Sequence, residues 1–430
     1  MSPDATGLAG LAVLALMLAL GCPVGVALVA VGIGGFATLI GIDPALRIFE
    51  RAAMDVATNP GLAVVPLFIL MGALVAEAGI SRDLFAAARR VTGGRPAGLA
   101  LAGLGASAGF AAASGSSLAT ASAMARAALP EMRAAGTDPR LAAGSLAAGG
   151  TLGIMIPPSI ALLLYALVME QSVGTMFLAG LLPGLAGLAL YALAAVVAGR
   201  LWQPAGTTDR RTPPLARAEA LGAGAALLLF AGVMGGLYGG LFTPSEAGGA
   251  GAALALLLAL ARGARRAGIA RALGDTVRLT ATLFVILIGA ECFGYFLSVS
   301  RLADALQQAV ATAGLSPTGL MLAIIAFYLV LGCVMESLAM ILLTVPILAP
   351  MAVAAGWDPV WFGIVAVTAV EVGLITPPVG MNLFVVRAAA PGLALSTVWA
   401  GVIPFILADI ARLALLLALP GLALWLPGLA

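Results

Sequence analysis

Long apolar runs alternate along the chain with short segments in which the charged residues gather. Several runs reach about 20 residues, the length that a helix needs to cross the hydrocarbon layer of a membrane. Because a spanning segment must satisfy its own backbone hydrogen bonds, we expect the spans to be helical. The pattern predicts an all-α polytopic membrane protein with about 10–11 transmembrane helices. The expected spans lie near residues 7–21, 24–41, 62–79, 141–168, 175–199, 219–240, 245–261, 280–299, 359–387 and 396–420.

One further apolar segment does not fit a simple span. Residues 97–133 lie between Arg95 and Arg133, and basic residues favour the cytoplasmic face of a membrane. Both ends therefore belong on one face, which predicts a re-entrant hairpin with its tip at 114–117. Irregular backbone at membrane depth persists only where protein or a water-filled cavity satisfies it. We expect this tip to line a transport site.

The chain repeats itself at an offset of 220 residues. Ala-Ala-Gly-Thr-Asp-Pro at 134–139 returns as Ala-Ala-Gly-Trp-Asp-Pro at 354–359. Two structural repeats are predicted, over 62–168 and 280–388. The same offset relates Pro130 to Pro350, Gly153 to Gly373, Pro157-Pro158 to Pro377-Pro378, and Ser117 to Ser337.

The arginines indicate that the second repeat is inverted in the membrane. Four of them follow the first apolar helix of repeat one, whereas only Arg301 occupies the equivalent stretch of repeat two. Ahead of that helix the bias reverses, with five arginines before repeat two and two before repeat one. Inverted repeats are typical of secondary transporters that bind their cargo near the membrane midplane. A second re-entrant hairpin is thus expected over 318–350, with its tip near 332–337.

Scaffold helices are expected to surround the two repeats. N-terminal scaffold helices are expected over 1–61, with an amphipathic interfacial helix at 42–60. Central scaffold helices are expected over 169–279, with a polar cytoplasmic linker at 200–218, and a C-terminal scaffold helix over 389–430. Repeat one contains a predicted broken helix at 141–168, and repeat two contains one at 359–387.

Glycines and a Pro-Pro pair interrupt each of the two broken helices. Residues 149–159 read Gly-Gly-Thr-Leu-Gly-Ile-Met-Ile-Pro-Pro-Ser, and 371–382 read Glu-Val-Gly-Leu-Ile-Thr-Pro-Pro-Val-Gly-Met-Asn. Proline removes a backbone donor and clashes with the preceding turn, which frees carbonyl oxygens at mid-membrane. A dehydrated sodium ion would satisfy them. The alternative is a simple packing kink, and the occurrence of two breaks at symmetric positions favours the binding role.

Two acidic residues inside the apolar runs are candidates for cation binding, because intramembrane charges are costly and usually functional. They are Glu336 on the second hairpin tip and Glu371 just before the second break. The alternative for either is pairing with a donor for helix stability. Asp409 and Arg412, three residues apart, are expected to pair with each other within the last span.

Composition narrows the chemistry. The chain is 62% hydrophobic and 9% charged, and all 21 basic residues are arginine. Without histidine there is no imidazole relay and no Ser/His/Asp triad, so we do not expect an enzyme. Without lysine there is no Gly-x-x-x-x-Gly-Lys phosphate loop, so we expect no direct use of ATP. The expected surroundings are a lipid bilayer, and no nucleic-acid partner is expected.

With these motifs in place, the chain resembles the large membrane subunit of tripartite ATP-independent periplasmic (TRAP) transporters, the DctM-like family. The resemblance runs nearly end to end. The blocks that carry it are 114–117 with Leu129-Pro130-Glu131-Met132, 147–159, 241–247 and 371–382.

The resemblance implies a multi-pass carrier of the bacterial inner membrane with Na⁺ as its coupling ion. The implied partners are a periplasmic solute-binding protein and a small four-helix membrane subunit, and the implied substrate is a small organic anion such as a C4-dicarboxylate or sialic acid. It also implies an elevator mechanism, in which a mobile domain built from the hairpins and broken helices slides against a scaffold.

Site residues are carried over from the family to the hairpin tips and broken helices. At 336 the family more often has Asp, and no arginine stands out as the partner of a substrate carboxylate. The substrate is expected between the tips, near Ser116, Pro157 and Pro377. The implied sodium ligands are Ser114, Gly115, Ser116, Ser117, Thr151, Gly153, Gly332, Glu336, Ser337, Glu371, Thr376 and Asn382.

Three other functions remain open. A stand-alone sodium/divalent-anion symporter of similar architecture would need no extra subunits, and a neighbouring gene for a secreted binding protein would argue against it. An intramembrane enzyme would need a nucleophile with a base or a paired-Asp motif. A passive channel predicts a continuous polar pore rather than two symmetric broken helices.

Overall fold

A computed structural model describes residues 2–202, 214–302, 305, 312 and 314–429 of the chain. This part of the chain is built from helices and contains no strand. Nine of its helical segments are long and apolar enough to cross a membrane, and four shorter apolar helices accompany them. The prediction of an all-α polytopic membrane protein is confirmed. Most of the predicted linker at 200–218 lies outside the described residues.

The helices follow one another closely along the chain. The first seven are α1 Pro3–Ala19, α2 Val24–Ile40, α3 Ile42–Thr58, α4 Val64–Glu77, α5 Ile80–Thr92, α6 Pro96–Ser114 and α7 Ser117–Ala134. The next six are α8 Pro139–Met155, α9 Ile160–Val168, α10 Val173–Trp202, α11 Arg217–Tyr238, α12 Pro244–Ala261 and α13 Arg266–Ser300. The last six are α14 Pro317–Gly332, α15 Ser337–Ala354, α16 Pro359–Ile375, α17 Met381–Ala388, α18 Leu395–Ala418 and α19 Gly421–Leu424.

Two elements differ from the expected spans. Helix α13 starts at Arg266, well before the predicted span at 280–299, because the preceding segment is rich in Ala, Arg and Leu, which all favour helix. Helix α5 was not predicted, since it is too short and too charged to span a membrane. Its buried Leu84 and Phe85 hold it against the neighbouring helices.

Both predicted hairpins are present as helix-turn-helix units. Helix α6 ends at Ser114 and α7 begins at Ser117, with Gly115 in the left-handed region at φ 61°. Glycine has no Cβ and adopts this conformation without strain. In repeat two, α14 ends at Gly332 and α15 begins at Ser337. The opposite orientation of the two hairpins in the membrane stays a prediction.

Both broken helices are confirmed at equivalent positions. Residues 156–159 separate α8 from α9, and residues 376–380 separate α16 from α17. The Ser159 hydroxyl accepts a hydrogen bond from Leu162 N at 3.2 Å, which restarts the helix after the first break. Each interruption contains its Pro-Pro pair, as the sequence predicts.

Helices α8 and α16 lie at the centre of the described fold, and almost all their residues are buried. The arms of the first hairpin pack on α8, and the arms of the second pack on α16. Helices α10 and α18 pack against both central helices and against each other. A Cβ on Gly144 of α8 would lie 3.1 Å from Val402 N of α18, so these two backbones are in close contact.

Candidate functional site

The first hairpin tip meets the second half of its own broken helix. Ile160 N, at the start of α9, donates to the Gly115 carbonyl oxygen at 3.3 Å. A Cβ on Gly115 would lie 2.8 Å from the Pro158 carbonyl oxygen, so only glycine fits against the break. The hydroxyl groups of Ser114 and Thr120 are 2.8 Å apart and hydrogen-bonded across the tip. The tip of repeat one and the first break therefore form one polar cluster.

Oxygen atoms of this tip pack closely against Gly153 of the broken helix. A Cβ at that position would be 2.6 Å from the Ser116 carbonyl oxygen and 2.7 Å from Thr120 Oγ1. Both distances are too short for a side chain, so only glycine fits in this oxygen-rich contact, here called cradle one. Carbonyl and hydroxyl oxygens are the ligands that hard cations prefer. Cradle one thus presents donor atoms of the type that a small cation binds.

Asn382 connects the two repeats. Its side-chain nitrogen donates to Ser117 Oγ at 2.7 Å and to the Ala147 carbonyl oxygen at 3.1 Å. Asn382 belongs to the second broken helix, whereas Ser117 belongs to the first hairpin and Ala147 to the first broken helix. All three lie in the buried interior. The second break is therefore fixed directly against the tip of repeat one.

The second tip also meets its own break. Gly332 and Gly373 lie backbone to backbone, since a Cβ on Gly332 would be 2.9 Å from the Gly373 Cα. Gly380 N donates to the Cys333 carbonyl oxygen at 3.1 Å. The two repeats use the same arrangement, in which glycines allow a hairpin tip and an interrupted helix to touch.

A second oxygen-rich contact lies beside Gly380. A Cβ there would be 2.9 Å from Leu383 Cδ1, 3.0 Å from the Thr376 carbonyl oxygen and 3.1 Å from the Leu374 carbonyl oxygen. This contact, here called cradle two, includes carbonyl groups that the break frees. The Thr376 hydroxyl donates to the Val372 carbonyl oxygen at 2.6 Å, back into its own helix.

Glu336 caps the second arm of its hairpin. Its carboxylate accepts from Leu338 N at 2.9 Å, from Ala339 N at 3.0 Å and from the Ser337 hydroxyl at 3.0 Å. A negative charge at a helix N-terminus is favourable, because the helix dipole places partial positive charge there. The structure thus places Glu336 at the tip in a capping role, and its assignment as a sodium ligand stays a prediction.

Glu371 lies in a buried ionic network rather than at either cradle. Its carboxylate forms an ion pair with Arg412, and Arg412 Nη2 lies 2.9 Å from Asp409 Oδ1. The predicted pairing of Asp409 with Arg412 is confirmed, but Arg412 serves two carboxylates. Tyr191 donates to Asp409 Oδ2 at 2.5 Å, and its oxygen lies 2.9 Å from Thr151 Oγ1.

Sequence reasoning missed three of these groups. Thr120 stands one helical turn after Ser116, so the i, i+4 spacing on one face of α7 could have indicated it. Tyr191 and the contact between Arg412 and Glu371 join helices far apart in the chain, and no local pattern marks them. The Pro-Pro pairs, by contrast, are visible in the sequence, and each lies beside the hairpin tip of the same repeat.

Membrane-crossing helices, two hairpins and two interrupted helices define the architecture of a secondary membrane transporter. The family model of the tripartite ATP-independent periplasmic transporter, DctM component, matches residues 11–422. The chain belongs to this family. It is therefore a multi-pass protein of the bacterial inner membrane and the large permease of a TRAP transporter.

Individual relatives agree with this membership. The C4-dicarboxylate TRAP transporter large permease protein DctM of Pseudomonas aeruginosa is 35% identical over 92% of this chain and 93% of that protein. The sialic acid TRAP transporter large permease protein SiaM of Vibrio cholerae is 32% identical over 86% of this chain and 87% of that protein. The YdaH transporter of Alcanivorax borkumensis shares the fold at a TM-score of 0.56, with 16% identity over 90% of each chain.

Proposed function

We propose that this chain carries a small organic anion across the bacterial inner membrane, driven by a sodium gradient and supplied by a periplasmic solute-binding protein. The observation that supports this proposal most directly is the pair of cradles, one in each repeat. Cradle one brings together Ser116 O and Thr120 Oγ1 beside Gly153. Cradle two brings together Leu374 O and Thr376 O beside Gly380.

The donor set favours Na⁺ as the coupling ion. Both cradles offer uncharged oxygen atoms at places where the helices are interrupted, and unwound carbonyls coordinate Na⁺ in secondary transporters. The tips at 114–117 and 332–337 contain no basic residue. A cation bound beside the tips would therefore supply the positive charge that a carboxylate substrate needs at membrane depth.

The names of two relatives support the proposed substrate class. The proteins from Pseudomonas aeruginosa and Vibrio cholerae are named for C4-dicarboxylate and for sialic acid, which both carry carboxylate groups. We take a small carboxylate as the cargo, bound between the tips near Ser116, Pro157 and Pro377.

The packing is compatible with an elevator movement. The hairpins and the broken helices form one continuous body around α8 and α16, whereas α2 with α13 and α4 with α12 form helix pairs around it. In this proposal the body slides as a unit and carries ion and anion together. A small four-helix membrane subunit holds the outer helices, and the periplasmic protein delivers the anion.

Uptake into proteoliposomes tests the proposal. Vesicles containing this chain and its small partner subunit are offered a labelled C4-dicarboxylate or labelled sialic acid, with and without an inward Na⁺ gradient and the cognate binding protein. We expect uptake of one of the two compounds only when both the gradient and the binding protein are present.

The other outcomes are equally informative. Sodium-driven uptake without the binding protein would support a stand-alone symporter. Uptake that does not depend on the sodium gradient but depends on a proton gradient would overturn the assignment of the coupling ion. Unitary currents in a planar bilayer would support a channel.

A further inference from the structure

A continuous chain of buried polar groups runs between the two broken helices. It starts at Thr151 of α8, passes through Tyr191 of α10 and then Asp409 and Arg412 of α18, and ends at Glu371 of α16. The side chains of all five residues are fully buried. Buried charges and hydroxyl groups are costly unless they are paired, so such a chain specifies the relative positions of its helices.

The ends of this chain occupy equivalent positions in the two repeats. Thr151 and Glu371 are separated by the repeat offset of 220 residues. Each also stands two residues before a glycine that touches a hairpin tip, which is Gly153 in repeat one and Gly373 in repeat two. The network therefore joins corresponding points of the two broken helices, although it lines neither cradle.

Arg412 is held at the centre of the network by shape as well as charge. A Cβ on Gly187 would lie 2.5 Å from Arg412 Nη1, so the glycine of α10 makes room for the guanidinium group. Gly187 and Tyr191 lie one turn apart on the same face of α10. Helix α10 thus supplies both the space for the arginine and the hydroxyl group that continues the chain.

We propose that Tyr191 and Arg412 are positioning residues that keep the two breaks in fixed register, so that ion binding in one repeat is coupled to the geometry of the other. This inference rests on the proposed function for its transport readout only. The guanidinium group binds one carboxylate on the broken helix of repeat two and one on α18. The Tyr191 hydroxyl group connects Asp409 to Thr151, which lies on the broken helix of repeat one. Removing the Tyr191 hydroxyl group or the Arg412 guanidinium group therefore breaks the connection between the two broken helices.

The sharpest variant is Tyr191→Phe, because it removes one oxygen atom and keeps the ring. The ring packs edge to face on Phe405 at a centroid distance of 5.8 Å, and this contact survives the substitution. We expect the half-saturating Na⁺ concentration for uptake to rise about fivefold, the size of one lost hydrogen bond, while the maximal rate is retained. Arg412→Lys keeps the charge but loses the planar fork, and we expect a larger shift in the same direction.

The matched control is Trp361→Phe. Trp361 Nε1 donates to the Leu416 carbonyl oxygen at 3.1 Å, which links the same two helices, α16 and α18, through uncharged groups. This variant should lower the melting temperature and leave the half-saturating Na⁺ concentration unchanged. A merely structural role for the network predicts that Tyr191→Phe behaves in the same way.

Hydrogen exchange in sodium-free buffer provides a readout that needs no transport. In Tyr191→Phe we expect faster exchange at both 149–155 and 369–375, whereas Trp361→Phe should accelerate exchange only around its own helix contact. Faster exchange at 149–155 alone would overturn the coupling, and so would an unchanged Na⁺ half-saturation in a sodium-dependent wild type. Uptake by the wild-type protein that does not depend on sodium would contradict the proposed function. The exchange experiment would still test the coupling between the two broken helices.

Discussion

At two pairs of equivalent positions, repeat one carries a hydroxyl group where repeat two carries a carboxylate. Ser116 and Glu336 each cap the second arm of a hairpin, Ser116 through a bond from Ala119 N at 3.4 Å. Thr151 and Glu371 each stand two residues before a glycine that meets a tip. The backbone arrangement is shared by the two repeats, but at these positions only repeat two carries a negative charge.

This difference separates the geometry of the site from its electrostatics. Glycines and interrupted helices form both cradles, and neither cradle needs a charged ligand. The Glu336 carboxylate of repeat two adds attraction for a cation, and the buried Glu371 adds a desolvation cost that repeat one does not have. Arg412 offsets that cost. We therefore expect repeat two to be more sensitive to the loss of a charge, and repeat one to the loss of space.

Arg412→Met should have the largest effect, because it leaves Glu371 and Asp409 buried without a counter-charge. Breaking a buried ion pair by removing one partner costs about 3–5 kcal/mol. The yield of monodisperse protein and its thermal unfolding in detergent measure this loss. The triple variant with Glu371→Gln, Asp409→Asn and Arg412→Met should recover most of the stability, since no unpaired charge remains. An unaltered melting temperature in the single variant would contradict the role of Arg412.

Gly153→Ala and Gly373→Ala compare the space at the two tips. Either Cβ meets tip atoms at 2.6 Å, so each variant should lose about 1–3 kcal/mol through overpacking. Only the Gly153 variant displaces the proposed oxygen ligands, because Gly373 faces the Cα of Gly332. We expect Na⁺ to raise the melting temperature of Gly373→Ala but not that of Gly153→Ala. Equal responses of the two variants would remove cradle one as an ion site.

Glu336→Gln tests the charge at the second tip, with Ser116→Ala as its counterpart in repeat one. Loss of the carboxylate should weaken sodium activation several-fold, through an interaction on the order of 1 kcal/mol. Ser116→Ala and Thr376→Ala each remove a single hydroxyl group, and we expect smaller shifts with little loss of expression. Uptake measured against Na⁺ concentration ranks the three variants. A larger shift in Ser116→Ala than in Glu336→Gln would reverse the proposed asymmetry.

The parts of this molecule that could be predicted from sequence are those with local causes. Gly115 and the Pro-Pro pairs act on their own backbone, so the tips and breaks follow from residue type and from the repeat offset. The network could not be predicted in the same way, because Tyr191 and Asp409 are 218 residues apart and meet only after the helices pack. Arg412 could be assigned to Asp409 by helical spacing, whereas its contact with Glu371 depends on how α16 lies against α18. Helix α5 was missed since hydropathy detects spans and not short amphipathic helices.

The smallest expected effect concerns the helix caps at the two central helices. Asp138 caps α8 and Asp358 caps α16, where Trp361 N donates to the carboxylate at 2.9 Å. Burial alone would raise the pKa of the Asp138 carboxyl, but hydrogen bonds from the side chain and backbone N–H of Arg140 outweigh it and hold that pKa below its ordinary value of 3.8. Replacing either cap by Ala should cost about 1 kcal/mol or less at neutral pH.

The pH dependence distinguishes the cap that is paired with Arg140 from a neutral contact. Because the folded pKa of Asp138 is depressed, its stabilisation is present in full above pH 3.8 and is lost as the pH falls through the folded value. The melting temperatures of wild type and Asp138→Ala should therefore differ by a constant amount from pH 7 to about pH 4 and converge below it. Asp138→Asn keeps the acceptor without the charge, so it should retain the cap and lose the dependence on pH. A difference that stays constant down to the lowest accessible pH would show that the cap acts without its charge.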